Sequence, residues 1–408
     1  MKNNELSILV LICLMPLFFA CSNPEKTTSD QTIDVASAYT EQPSLKASDY
    51  FKEIRYLPLE TTDESLIGNN PDIQVIDDRI IVTTSQRQCL AFDKTTGKFI
   101  GSIGHIGDDP EGYLSVDYWA DPANRQLFFP AGNVFVCYTL DGDFVRKVEM
   151  GKGAAESFSF TSYTAQDDGY IGHTDNSSSL LTFMDHDGEV KDSIRNDHVQ
   201  SMIMVNDIAS VSVLRVAQYG PAAQRGCFII EAKDPAYGQI SFNSETHFWQ
   251  WDDNTYFKES LNDTIYRIEG HKLVVDRIFD LGQYRWPIEE KYKKSSRNRI
   301  YINHILENDN TMLFRFASDL LTEREAKIYN AMLNKKSGEL KIDLFEEGIE
   351  DDLTHFLLIQ PQTVTKDGEY VSLIEAYKVA DWFEENEGEL SGLENLSSED
   401  NPVVVFYK

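Results

Sequence analysis

The chain has 408 residues, and 67 acidic against 37 basic side chains leave a formal charge of −30. That balance argues against nucleic acid and anionic lipid surfaces as partners, because both repel an acidic face. It suits cationic partners and neutral ligands such as sugars, and 12% aromatic residues supply ample material for a large core.

The first segment has the order of an export signal. Lys2 precedes a stretch from Leu6 to Phe19 that is apolar apart from Ser7, with Pro16 near its end. Ala20-Cys21 follows, and the chain then turns polar at Ser22, Asn23, Pro24, Glu25 and Lys26. Charge, apolar run and small residue before a cleavage site make a secretory signal peptide. The run is shorter than the roughly 20 residues a membrane span needs. A small residue directly before a cysteine resembles a lipobox, with Phe18 where Leu is usual. Residues 1–20 are therefore expected to be removed and Cys21 to carry lipid. Several acyl chains anchor firmly, which tethers the domain to the cell envelope as an outer-membrane lipoprotein. An ordinary signal peptide with a coincidental cysteine fits the same residues. Only Cys89, Cys137 and Cys227 follow, too few and too widely spaced for a disulfide framework.

Residues 21–48 are rich in Ser, Thr, Asp, Gln and Lys, with few bulky apolar groups, and read as a flexible stalk. Compact structure is expected over 49–408, opening with a strand at 54–59 in which Pro58 favours an edge.

A repeat then appears. An apolar strand, a polar turn with glycine and a second strand recur around Gly97, Gly142 and Gly188, at spacings of 45 and 46 residues. Asp-Gly between alternating apolar residues is a hairpin signal, because glycine accepts positive φ without a Cβ clash. A period of 40–50 residues with room for four short strands is that of a β-propeller blade. Two earlier strands precede each glycine: 73–76 and 79–83, then 116–119 and 126–129, then 157–160 and 170–173. The approximate blades are 73–104, 115–149, 157–195, 241–282, 299–345 and 355–408, with an irregular insertion at about 196–240. The sixth opens with strands at 355–360 and 370–376, is interrupted by an acidic loop at 381–400, and resumes at 402–408. It lacks one strand, which 54–59 supplies. The expected fold is an all-β, six-bladed propeller of four-stranded antiparallel blades, closed by pairing the N- and C-terminal strands. A β-sandwich followed by a second β domain fits the same three-copy spacing.

Four passages carry a resemblance. They are Tyr56-Leu-Pro-Leu-Glu-Thr-Thr62 with Ile67-Gly68; Phe92-Asp-Lys94 with Gly97-Lys-Phe-Ile100, Ile103-Gly104, Pro110 and Tyr113; Leu261-Asn-Asp-Thr-Ile-Tyr266; and Asn401-Pro-Val-Val-Val-Phe-Tyr407. With these the chain resembles the six-bladed β-propeller lipoproteins of Gram-negative gut-type bacteria. The resemblance implies a fold and an envelope address, but brings no catalytic residues. Gly107-Asp-Asp-Pro-Glu-Gly-Tyr113 departs from that family's glycine-rich loop, being more acidic and with Glu and Gly exchanged.

The usual nucleophile and metal motifs are absent: there is no Gly-x-Ser-x-Gly, His-Glu-x-x-His or Cys-x-x-Cys. Gly101, Gly104 and Gly107 lack the Lys and Ser/Thr of a phosphate loop and read as linking turns. Asp185, Asp187 and Glu189, like Asp141 and Asp143, cluster at hairpin tips. Each group offers two or three oxygens where calcium wants six to eight, so they read as turn caps and no cofactor is expected. His105, Asp108, Asp109, Glu111 and Tyr113 form the densest polar set between two blades. They read first as a solvated loop, with a ligand site at one mouth of the channel, or acid–base work there, as the other option. Trp249 and Trp251 share one face of a strand, which suits packing between blades or an aromatic platform for a glycan. Trp119 reads as core. The tract from Asp381 to Asp400 reads as a solvated acidic loop, with docking to a basic partner as the other option. The reading is an envelope-tethered binding or scaffolding module for a glycan, a peptide or an envelope protein. A channel-centred enzyme of lactonase or polysaccharide-lyase type is the alternative.

Overall fold

A computed structural model describes residues 31–408 apart from 42, 154–160, 176, 200–204, 215–226, 243–244, 291–297, 319–326, 387–389, 391 and 394–395, and apart from the side chains of 205, 213–214, 227–228 and 240–242. The expected signal segment 1–20, the expected lipid site at Cys21 and the expected strand 157–160 lie outside these residues.

The described residues form successive antiparallel sheets. The first runs Asp72–Ile76, Arg79–Thr83, Cys89–Asp93, Phe99–Ser102, and the second Trp119–Asp121, Gln126–Ala131, Val134–Thr139, Phe144–Val148. The third runs Ser162–Gln166, Gly169–His173, Ser179–Met184, Val190–Arg195, and the fourth Phe248–Trp251, Asn254–Phe257, Thr264–Glu269, Lys272–Asp280. The fifth contains Ile300–Glu307, Thr311–Ser318, Lys327–Asn334 and Leu340–Leu344. The sixth joins Thr363–Val364, Tyr370–Ile374 and Val403–Tyr407 to the early strand Ile54–Pro58, with Leu57 opposite Val404 and Arg55 opposite Phe406.

Period-2 alternation sends neighbouring side chains of one strand into two different cores. Val403, Val405 and Tyr407 pack with Leu306, Leu313 and Met332 of the fifth sheet. Val404 and Phe406 pack with Ile73, Val75, Ile80 and Phe92 of the first. Leu127 and Phe129 face the first sheet, whereas Phe128 faces Ala165, Tyr170 and Met184 of the third. The third meets the fourth through Ile171, Phe183 and Phe257, and the fourth meets the fifth through Tyr256, Phe279 and Phe314. Sheets covered on both faces explain why the strands are near-continuous apolar runs.

Four expectations change. Of the expected stalk 21–48, the described residues 31–41 and 43–48 are not a loose tether. Thr32–Asp34 pairs in parallel with the outer strand of the fourth sheet, and Ile33 and Val35 are buried there. The helix Val35–Glu41 sets Tyr39 edge-on to Tyr284, Phe316 and Tyr329. Leu45–Lys46 pairs with Ile349–Glu350. A polar composition hid four well-placed apolar anchors.

The insertion at 196–240 holds its own three-stranded sheet, Ile208–Leu214, Cys227–Ala232 and Gly238–Phe242. The inner strand of the sixth sheet is Thr363–Val364 and not 355–360, because Asp351 caps a turn through Leu353, Thr354 and Phe356. The segment after Ile374 is the helix Ala376–Glu385, so the acidic tract begins on a helix whose Val379 is buried. Among the described residues no helix is long and apolar enough to cross a membrane.

Candidate functional site

The innermost strand of each sheet begins, and the second strand ends, at the edge where chain segments link one sheet to the next. At that edge of the third, fourth and fifth sheets polar groups displace the apolar pattern. His173 closes Gly169–His173 and Asp175 follows it. Glu245, Thr246 and His247 precede Phe248–Trp251. Lys258, Glu259 and Ser260 follow Asn254–Phe257, and Tyr301 and His304 lie on Ile300–Glu307.

A chain of contacts joins them. The His173 ring donates from Nδ1 to the Leu180 carbonyl at 3.0 Å and sets Nε2 3.3 Å from Asp175 Oδ1. Ser260 Oγ lies 3.1 Å from Asp175 Oδ2 and 3.0 Å from Glu245 Oε2, which also accepts from the Tyr301 hydroxyl at 2.7 Å. The His247 ring sits 4.6 Å from that of His173 and donates from Nδ1 to the Lys258 carbonyl. The Lys258 ammonium, almost wholly buried, donates to the Glu259 and Ile302 carbonyls, both at 3.2 Å. Burial lowers its pKa against the pull of Glu245, Glu259 and Asp175. Burial likewise raises the Tyr301 hydroxyl, aided by Glu245, and lowers His247.

Thr246 carries this knot into the fifth sheet. Its amide donates to the Asn303 carbonyl, and its hydroxyl accepts from the Ile305 amide and lies 3.2 Å from His304 Nδ1. The register of Ile300–Glu307 shifts between Ile302 and His304. A bulge of this kind re-aims side chains, and here it makes the notch that Thr246 enters.

The residues expected from sequence lie in two separate places. His105 Nε2 meets Asp109 Oδ2 at 2.6 Å on an exposed loop, with Asp108 and Glu111 also exposed. The His105 hydrogen bond holds the Asp109 carboxyl below its usual value. Tyr113 is buried beneath this loop, stacked on Phe129, and donates to the Ile103 carbonyl. Tyr138 donates to the Glu111 carbonyl at 2.5 Å, so the loop is propped from below at two points.

Trp249 and Trp251 stack on Tyr256, and their indole N–H groups donate to Glu307 and Asp309 across the boundary with the fifth sheet. They pack between sheets. Trp119 stacks between Phe128 and Tyr163. At the hairpin tip, Asp185 accepts from the Asp187 and Glu189 amides as a turn cap. Among the described residues no group of three or more His, Cys, Asp or Glu is arranged to hold a metal. Cys89 and Cys137 are buried free thiols.

The inner-edge knot escaped the sequence reading because its members are scattered over 173–304. The available signal was local: Lys258-Glu259-Ser260 directly after an apolar strand, and histidines where a strand pattern calls for an apolar residue.

Antiparallel sheets in series, each built on four strands and packed on its neighbours, with polar groups at the inner edge of the third, fourth and fifth, define a propeller-like all-β domain. The family described as "Domain of unknown function (DUF4934)" matches residues 30–408, and the chain belongs to it. No curated protein matches the chain. Among solved structures, a Bacteroides fragilis protein described as exported is 15% identical with a TM-score of 0.62, over 90% of this chain and 98% of that one. That likeness shows the fold. A member of the DUF4221 family from Bacteroides vulgatus is 10% identical (TM-score 0.44, 88% and 96% covered), and the WD40 propeller domain of Doa1 is 11% identical (TM-score 0.37, 86% and 97%).

Proposed function

We propose that the chain is a six-bladed propeller clasped shut by Ile54–Pro58 against Val403–Tyr407, tethered by lipid on Cys21 to the outer membrane, and acting as a binding or scaffolding module. The packing of the sixth sheet on the first supports the closed ring.

The observation that carries the binding reading is that most groups of the densest ionisable cluster already have partners within the protein, with His173 Nε2 and Glu245 Oε1 the exceptions in that cluster among the described residues. Lys258 is bound to two carbonyls, Tyr301 and Ser260 to Glu245, and His173 and His247 each to a backbone carbonyl. General acid–base catalysis needs such a group within hydrogen-bond reach of substrate. Here they stiffen the frame, and recognition falls to the linking loops that the frame positions. The propped loop with His105, Asp108, Asp109 and Glu111 is the foremost of these. Its ligands by class are a glycan, a peptide or an envelope protein, with basic ones favoured by the acidic surface.

The test is thermal unfolding of the chain against a panel of glycans, peptides and divalent ions. A ligand that binds only the native state raises the midpoint by mass action, about 2.7 kcal/mol at a hundredfold excess over its Kd. A shift with one glycan or peptide class, without turnover, supports a binding module. Turnover of that ligand, or a calcium shift reversed by chelator, sinks it in favour of an enzyme. For the tether, Cys21→Ala should release the protein from membranes. If that variant still pellets after high-salt and carbonate washing, lipid anchoring is wrong.

A further inference from the structure

Arg315 lies in the second strand of the fifth sheet, 7% exposed. Its Nε donates to Asn330 Oδ1 at 3.0 Å, another guanidinium nitrogen donates to the Pro361 carbonyl, and the group stacks on Phe345, 4.9 Å from the ring centroid. Among the described residues it forms no ion pair. His304, Arg315, Asn330 and Asp343 lie side by side across four strands. The carboxylate in that row, Asp343, is two strands from Arg315, on the order of 10 Å away.

Burying a cation without a counter-charge is costly. Neutral oxygens and one aromatic face offset only part of that cost. Burial pushes the Arg315 pKa down to about 9. Two further groups beside it are short of partners. Asn330 is fully buried, and its Nδ2 has no hydrogen-bond partner among the described residues. Its carbonyl oxygen is held by Arg315, so the amide nitrogen on the same carbon borders the guanidinium. His304 Nε2 is also buried without a partner among them, and the Arg315 charge acts on this ring. Thr246 can donate to His304 Nδ1, which leaves the ring proton on Nε2.

We propose that Arg315, Asn330 Nδ2 and His304 Nε2 form a binding site for a small monovalent anion, a halide or a carboxylate group, between the fifth and sixth sheets. One cation and two neutral N–H donors match a single negative charge. Because His304 lies on the innermost strand, the site adjoins the inner edge, within reach of a ligand carboxylate.

The experiment compares thermal midpoints of the purified full chain in sodium chloride, bromide, acetate and methanesulfonate at fixed ionic strength. Chloride and bromide, or acetate, should raise the midpoint saturably above methanesulfonate, which is neither halide nor carboxylate. A halide effect identifies an inorganic anion, and a larger acetate effect identifies a ligand carboxylate. Arg315→Met, which keeps the side-chain bulk, should weaken half-saturation about tenfold or more. Asn330→Asp covers the case in which Arg315→Met fails to fold. It supplies the counter-charge internally, so it should raise the midpoint in methanesulfonate and abolish the anion dependence. Equal midpoints in all four salts, or undiminished anion dependence in Asn330→Asp, would overturn the proposal.

Discussion

Arg277 and Glu307 form a two-point salt bridge, at 2.6 Å and 3.0 Å, that bolts the outer strand of the fourth sheet to the inner strand of the fifth. Lys335 reaches the same carboxylate at 2.9 Å and the Trp249 indole donates to it at 2.8 Å, so one buried carboxylate serves four donors. The Lys335 ammonium also sits 2.9 Å from the centroid of the Trp251 ring.

Glu307→Gln should cost about 3 kcal/mol, because it leaves the largely buried Lys335 without this counter-charge and Arg277 with only its Asp276 contact. Urea unfolding of the variant measures this. A change below 1 kcal/mol would mean that the clamp contributes nothing net.

The same residue sets an acid limb. Burial opposes ionisation of Glu307, but hydrogen bonds from Arg277 and the charges of Arg277 and Lys335 outweigh it and hold the pKa below the usual carboxylate value. A depressed carboxylate pKa means that the unfolded chain binds the proton more readily. The stabilisation is therefore present above the ordinary value near 4 and lost as pH falls through the folded one. Midpoints measured from pH 6 to pH 2 should fall more steeply for the native chain than for Glu307→Gln.

The clasp should be indispensable. Val403 to Tyr407 are all 2% exposed or less, and Arg55 stacks 3.9 Å above Phe406. Phe406→Ala should cost about 3–5 kcal/mol. Deleting 402–408 should remove cooperative unfolding altogether, and an unchanged melting temperature would refute the pairing as the ring's closure.

The turn glycines should differ in sensitivity. Gly188 has φ +80°, and a Cβ there would come 2.1 Å from the Glu149 carbonyl oxygen, whereas at Gly338, with φ +74°, it would meet nothing. Gly338→Ala should cost the left-handed penalty of about 1–2 kcal/mol. Gly188→Ala should add an overpacking cost of about 1–3 kcal/mol. Equal losses in a denaturant series would show that the close approach relaxes freely.

The turn glycines separate what the linear order carries from what packing adds. Gly97, Gly142 and Gly188 announce hairpins through spacing and turn chemistry alone, and the two strands flanking each of them appear where that period puts them, as do the early and late strands of the sixth sheet. The first strands of the second and third sheets are instead Trp119–Asp121 and Ser162–Gln166, later than the expected 116–119 and 157–160. Strand alternation and turn residues act over a few neighbours, so the linear order carries them in full. The order does not carry the second reason for the same glycines. Gly97 closes on the Pro58 carbonyl, Gly142 on that of Ser102 and Gly188 on that of Glu149, each the backbone of the preceding sheet at or just past its outer strand.

The partners of the buried polar groups lie on that second level. Glu245, Ser260 and Tyr301 look like ordinary surface residues in the sequence, and Arg315 like one charge in an apolar strand. Hydrophobic periodicity decided which segments become sheets. Only the packing of sheet on sheet decided which polar atoms lost water, and so which had to find partners in one another.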